Sequence, residues 1–168
     1  VPYSYIYNNL SKDMKKKIKD NKKIENYNII TKIKLNENNP RKDSKYIIFS
    51  AHYDHIDGNP GADDNASGVL ALLKISEIIQ KIENENPFLN FNVLFLYCTA
   101  EELGLIGSQY FVDNLPEIDN KKIKLSDILL NLNIDMLGRN CSVKDGVNYK
   151  YQCDDANTPF MILTGNIT

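Results

Sequence analysis

The sequence predicts an α/β fold: a three-layer sandwich with a mixed, largely parallel central sheet flanked by helices. Three observations predict it. Apolar, β-prone runs at residues 45–50, 91–99 and 128–134 alternate with helical patterns at 65–82 and 104–114, and alternating strands and helices build a parallel sheet with crossover connections. The run over 91–99 is almost continuously apolar, as in a strand covered on both faces. His52, Glu101, Glu102 and Asp135 each fall at the carboxyl end of one of these strands, where open α/β sheets bind their ligands.

The elements follow in chain order. Residues 1–7 read as a short strand with Pro2 at its edge. Residues 11–23 are lysine-rich, with Leu10, Met14 and Ile18 at helical spacing, and read as a solvated surface helix. Residues 27–35 alternate apolar and polar, a half-buried strand. The turn over 36–44, with its Asn-Asn-Pro, leads to the strand 45–50, so these two strands are expected to pair as an antiparallel hairpin or meander. Asp64 sits where a helix N-cap belongs, with Gly68 in the first turn of a helix from Asn65 to about Ile82. Apolar residues on much of its circumference point to packing on the sheet. Residues 84–90 are a loop, and the helix over 104–114 is stopped by Pro116. Residues 128–134 read as a further buried strand, although Ser126 and Asp127 could instead start a helix. A polar loop over 138–158 precedes a last strand at 160–164.

The 168 residues suffice for one domain with a substantial core. A formal net charge of −2 gives no general affinity for nucleic acid or anionic membranes. No apolar run reaches the roughly 18 residues that span a bilayer, and no signal-peptide pattern is seen. Of three cysteines, Cys98 lies in an apolar strand and reads as a small buried hydrophobe. Cys141 and Cys153 flank a polar loop and could pair in an oxidising compartment. The odd count and the lack of Cys-x-x-Cys argue against a zinc ribbon or a disulfide framework.

Taken singly, the polar signals have ordinary readings. His-x-Asp occurs on surface loops, Asp63-Asp64 is a favoured helix start, and Glu101-Glu102 would suit a helix N-terminus. Asp135 is more telling, because a carboxylate ending an apolar strand is costly to bury without a partner or cation. Together, His52, Asp64, Glu102 and Asp135 offer one imidazole and three carboxylates from four segments, donors that zinc takes. Asp54 can accept a hydrogen bond from the far nitrogen of His52. Glu101, beside one of these donors, is placed to act as general base. Paired metals with carboxylates and histidine would serve phosphoryl transfer as well. No glycine loop cradles a phosphate, since the glycines surround Asp64. No Gly-x-Ser-x-Gly elbow is present for a serine mechanism.

Four segments, His52-Tyr53-Asp54, Gly61-Ala62-Asp63-Asp64-Asn65-Ala66-Ser67-Gly68, Glu101-Glu102-Leu103-Gly104-Leu105-Ile106-Gly107-Ser108 and Asn133-Ile134-Asp135-Met136-Leu137-Gly138-Arg139, resemble the co-catalytic zinc aminopeptidase family. That family includes bacterial leucyl aminopeptidases, glutamate carboxypeptidases, glutaminyl cyclases and the catalytically silent transferrin receptors. The resemblance runs in register over roughly residues 27–139, and residues 160–165 resemble the strand that follows. It implies a phosphorylase/hydrolase-like fold and a zinc-dependent exopeptidase that hydrolyses N-terminal peptide bonds of peptide substrates. It implies two zincs: His52 and Asp135 on one, Glu102 on the other, and Asp64 bridging. It further implies Glu101 as general base and acid, Asp54 as the residue that orients His52, and a cis Asp64–Asn65 peptide. His55, Asp57 and Asp63 receive no ligand role. A secreted or periplasmic location is also implied.

One departure stands out. The family's second zinc takes another histidine from a later segment, and this chain has only His52 and His55. Residues 27–168 therefore read as a metallopeptidase catalytic domain incomplete at its C-terminus. Residues 1–26 resemble the end of a region that precedes the domain in some members. Alternatives within the family are a silent member acting as a binding scaffold, a glutaminyl cyclase, or a carboxypeptidase acting on acidic dipeptides. The run Asp64-Asn65-Ala66-Ser67-Gly68 looks more like the peptidases than the cyclases. Without metal, the crowded carboxylates are expected to cost stability that zinc restores.

Overall fold

A computed structural model describes residues 25–34, 45–86 and 89–138. The strands expected at 1–7 and 160–164, the helix at 11–23, the turn at 36–44, the loop at 138–158 beyond Gly138, and the pairing of Cys141 with Cys153 lie outside the described residues.

In chain order the elements are β1 (Ile29–Lys32), β2 (Tyr46–His52), α1 (Gly68–Glu85), β3 (Asn92–Cys98), α2 (Ile106–Asp113), the two-residue strands β4 (Glu117–Ile118) and β5 (Lys121–Lys122), and β6 (Ile128–Asn133). The four longer strands form one sheet in the order β1-β3-β2-β6. Parallel pairing joins β2 to both β3 and β6, while β1 runs antiparallel on β3.

Strand alternation divides the core into two layers. Val93, Phe95 and Tyr97 of β3 face Leu72 of α1, together with Ile33, Ala51 and Ile134. Leu94, Leu96 and Cys98 point the other way, toward Phe111 of α2 and Leu115, Ile123, Tyr46 and Ile48. Both faces of β3 are therefore covered, which explains its unbroken apolar run. Phe49 and Phe95, directly opposite in the β2–β3 register, stack with ring centroids 5.4 Å apart. Cys98 is buried and free, and burial pushes its thiol up to about 12, with help from Asp54 and Glu101.

Three expectations need correction. The strand at 27–35 does not form a hairpin with β2. Both edges of β2 are occupied by parallel neighbours, and β1 takes the free edge of β3, pairing Ile29 with Tyr97 and Ile30 with Leu96. The helix expected from Asn65 begins instead at Gly68, because Asp64 and Asn65 have non-helical backbone angles and residues 62–67 make a wider turn. Asp64 is thus not an N-cap. Finally, β6 is only half buried, with Leu129 52% exposed; among the described residues it is an edge strand, with one neighbour instead of two. Ser126 and Asp127 fall in a short turn of 3-10 helix that precedes it.

Candidate metal centre

His52 is the last residue of β2, a register position opposite Cys98 at the end of β3. The ring is almost wholly buried. Its Nδ1 faces the backbone oxygen of Asp54 at 3.0 Å, so an Nδ1–H donating there leaves Nε2 as the nitrogen directed into the site. Around Nε2 lie Asp64 Oδ1 at 3.0 Å, Asp135 Oδ1 at 3.4 Å and Glu101 Oε2 at 4.0 Å. His52, Asp64 and Asp135 can each offer a ligand atom within 4.8 Å of the others.

Separate devices deliver these groups. Asp64 comes from the turn between Gly61 and α1, whose Asp64–Asn65 peptide is cis, as the resemblance implies. Asp135 follows β6, where Ile134 N–H donates to Ser50 O at 2.8 Å. Glu101 follows β3 after Ala100, a non-glycine residue at φ +54°. Such a conformation persists only when the surroundings fix it. The carboxylate of Asp54 does so, accepting from Glu101 N at 3.0 Å and Glu102 N at 3.2 Å. Asn28 acts from the other side: its Oδ1 accepts from Thr99 N at 3.1 Å, and its Nδ2 donates to Gly107 O at 2.7 Å. A side chain at Gly107 would collide with Thr99 O and meet Asn28 Oδ1 at 2.7 Å, so only glycine allows this approach.

The structure therefore brings His52, Asp64, Asp135 and Glu101 together, whereas Glu102 is not among the donors that converge. Asp54 stands beside His52 as expected, yet its Oδ1 is 3.6 Å from Nδ1. Its backbone oxygen takes the closer position, while its carboxylate holds the Glu101–Glu102 peptides. His55 lies apart, with Nδ1 3.0 Å from Ile56 O. The residues alone assign no role to Asn28 or Asn65. Asn28 reads as part of the strand over 27–35 and Asn65 as the start of a helix, and only the fold reveals which distant peptides their side chains meet.

Burial works against a charged His52, but Asp54, Asp135 and Glu101 outweigh it and hold the imidazole up at about 9. Burial also raises Glu101, and the carboxylates of Asp135, Glu102 and Asp54 raise it further, against the lowering effect of His52. For Asp54, burial is outweighed by contact with His52 and the peptide N–H groups, and its carboxyl lies below the usual range. Two buried atoms, His52 Nε2 and Asp135 Oδ1, have no hydrogen-bond partner. Such atoms are costly to leave unpaired, and an imidazole nitrogen facing carboxylate oxygens is the donor set that zinc takes.

Known proteins resemble this chain in sequence and in fold. Residues 28–158 match the model of peptidase family M28. Aminopeptidase YwaD of Bacillus subtilis (strain 168) is 36% identical over 92 residues, 55% of this chain and 18% of its own length. Leucine aminopeptidase 2 of Trichophyton rubrum is 33% identical over 112 residues, 67% of this chain and 20% of its own. Among solved structures, BSAP, a zinc aminopeptidase from Bacillus subtilis, superposes with a TM-score of 0.53 at 32% identity, covering 66% of this chain and 24% of that one. The aminopeptidase from Aneurinibacillus sp. strain AM-1 gives 0.53 at 29% identity, with the same coverage. The chain thus spans about a fifth to a quarter of the length of these relatives. The family match covers most of the chain and takes in all four motif segments, so the chain belongs to peptidase family M28.

Proposed function

We propose that this chain carries the catalytic centre of a zinc-dependent aminopeptidase, a hydrolase that removes N-terminal residues from peptides. One observation carries the reading. Asp64 and Asp135, 71 residues apart in sequence, converge within 3.4 Å of the buried Nε2 of His52, and Glu101 stands 4.0 Å away. The orphaned polar atoms and the donor chemistry fit zinc, and solved relatives described as zinc aminopeptidases support that choice of metal. Zinc held there would polarise the scissile carbonyl as a Lewis acid and lower the pKa of the attacking water.

In the finer reading, His52, Asp64 and Asp135 would hold zinc, and Glu102 would contribute to a second ion. Glu101 takes a proton from the water and returns it to the leaving amine. Its carboxyl is raised by burial and by neighbouring acids, which brings it closer to the working pH of a general base. Asp54 and Asn28 fix the loop from which Glu101 projects.

The test is Glu101→Gln, with metal content by elemental analysis and hydrolysis of an aminoacyl-nitroanilide panel on the same samples. The enzyme reading expects wild-type metal content and turnover lowered about 10²- to 10⁴-fold. If metal is bound by both forms and neither turns over any member of the panel, the chain is a binding scaffold. A folded chain that takes up no metal after zinc addition overturns the metallopeptidase reading.

A further inference from the structure

Asn65 is only 1% exposed, and both ends of its carboxamide are engaged. Oδ1 accepts from Gly68 N at 3.0 Å and from Met136 N at 3.1 Å. Nδ2 donates to Ile134 O at 3.0 Å. The contacts to Ile134 and Met136 bracket Asp135. They take the peptide groups on either side of it as a neighbouring strand would, past the point where β6 ends at Asn133. At its other end, Asn65 is the residue bonded to Asp64. A single side chain thus links the backbone of one carboxylate to that of the other.

Two neighbouring features fit this arrangement. Met136 has φ +53°, a left-handed conformation that a methionine holds only under outside constraint; its N–H is the one Asn65 captures. A Cβ at Gly68 would strike Asn65 Oδ1 and approach Ile134 O to 2.6 Å, so the clamp needs glycine there. Sequence gives no hint of this pairing, because Asn65 and Asp135 lie 70 residues apart.

We propose that Asn65 is a positioning residue that fixes Asp64 and Asp135 relative to each other around His52 Nε2. Its functional consequence rests on the metal reading above; the clamp itself does not. The test compares Asn65→Ala with Leu72→Ala, which hollows the core at a fully buried position without touching the clamp. Hydrogen exchange is read at the Met136 amide relative to the Phe95 amide, zinc affinity by chelator competition, and ligand geometry by the visible absorption of the cobalt-loaded chain. Asn65→Ala should lose Met136 protection selectively, bind zinc about 10- to 100-fold more weakly and shift the cobalt bands. Leu72→Ala should do none of these.

Retained Met136 protection in folded Asn65→Ala, or zinc affinity and cobalt bands matching Leu72→Ala, overturns the proposal. Should Asn65→Ala not fold, the through-hydrogen-bond coupling between the Met136 amide nitrogen and Asn65 Cγ in the wild-type chain decides: its presence supports the clamp and its absence overturns it. His52→Ala separates the two readings. If it binds zinc as tightly as the wild type, or if the wild type binds none, the metal reading fails, and the exchange and coupling results alone decide the clamp.

Discussion

Phe95 and His52 sit on adjacent strands, and both are almost completely buried, yet their surroundings differ in kind. Phe95 stacks on Phe49 amid apolar side chains, most of them in regular strand or helix. His52 faces Asp54, Asp64, Glu101 and Asp135, which come from turns with left-handed Ala100 and Met136. The interior is stabilised by apolar burial, which needs no ligand and no protonation state. The rim concentrates negative charge and unpaired polar atoms, and is held open by side chains that grip backbone: Asp54, Asn28 and Asn65. The contrast implies that the interior sets whether the chain folds. The rim sets how stability responds to metal and protons.

Substitutions and conditions can break or sharpen that contrast. Phe95→Ala should lower stability by about 3–5 kcal/mol and leave unchanged the upward shift of the thermal midpoint that zinc produces. Zinc at about 1,000 times its Kd should raise wild-type stability by about 4 kcal/mol, and His52→Ala should abolish that rise; denaturant titration with and without zinc measures both. An equal zinc effect in both forms would place the ion elsewhere.

Proton linkage follows in size. In the metal-free chain His52 titrates at about 9 instead of 6.5. The folded state therefore holds the proton more tightly than the unfolded one. Its stabilising contribution, up to about 3 kcal/mol, is complete below pH 6.5 and is lost as pH rises through 9. The difference between wild-type and His52→Gln denaturation profiles, taken from pH 6 to 10, should show this loss. Because zinc takes a neutral imidazole, zinc uptake at pH 7 should release about one proton from His52, read by calorimetry in buffers of different ionisation enthalpy. The smallest effect belongs to the surface. Lys74 and Glu77, paired at 2.9 Å and mostly exposed, should contribute no more than about 0.5 kcal/mol, so Lys74→Ala serves as the neutral reference.

Several features of the molecule were open to reading from the chain alone. The alternation of apolar runs with helical patterns determined the α/β architecture, because burial of a two-faced strand or an amphipathic helix is written in local periodicity. The position of His52, Glu101 and Asp135 at strand ends determined where a site would form, because parallel strands bring their carboxyl ends to one edge. Four short motifs determined the family. Tertiary structure alone decided the rest. It placed β1 on β3 instead of β2, since the choice of partner depends on which edge is free after the parallel strands have paired. It moved the start of α1 to Gly68, because Asn65 is drawn to the peptides around Asp135 and cannot serve as a helical residue. It also gave Asn28, Asp54 and Asn65 their backbone partners, 47 to 79 residues away. Contacts of that range depend on how the whole sheet assembles, and no local pattern encodes them.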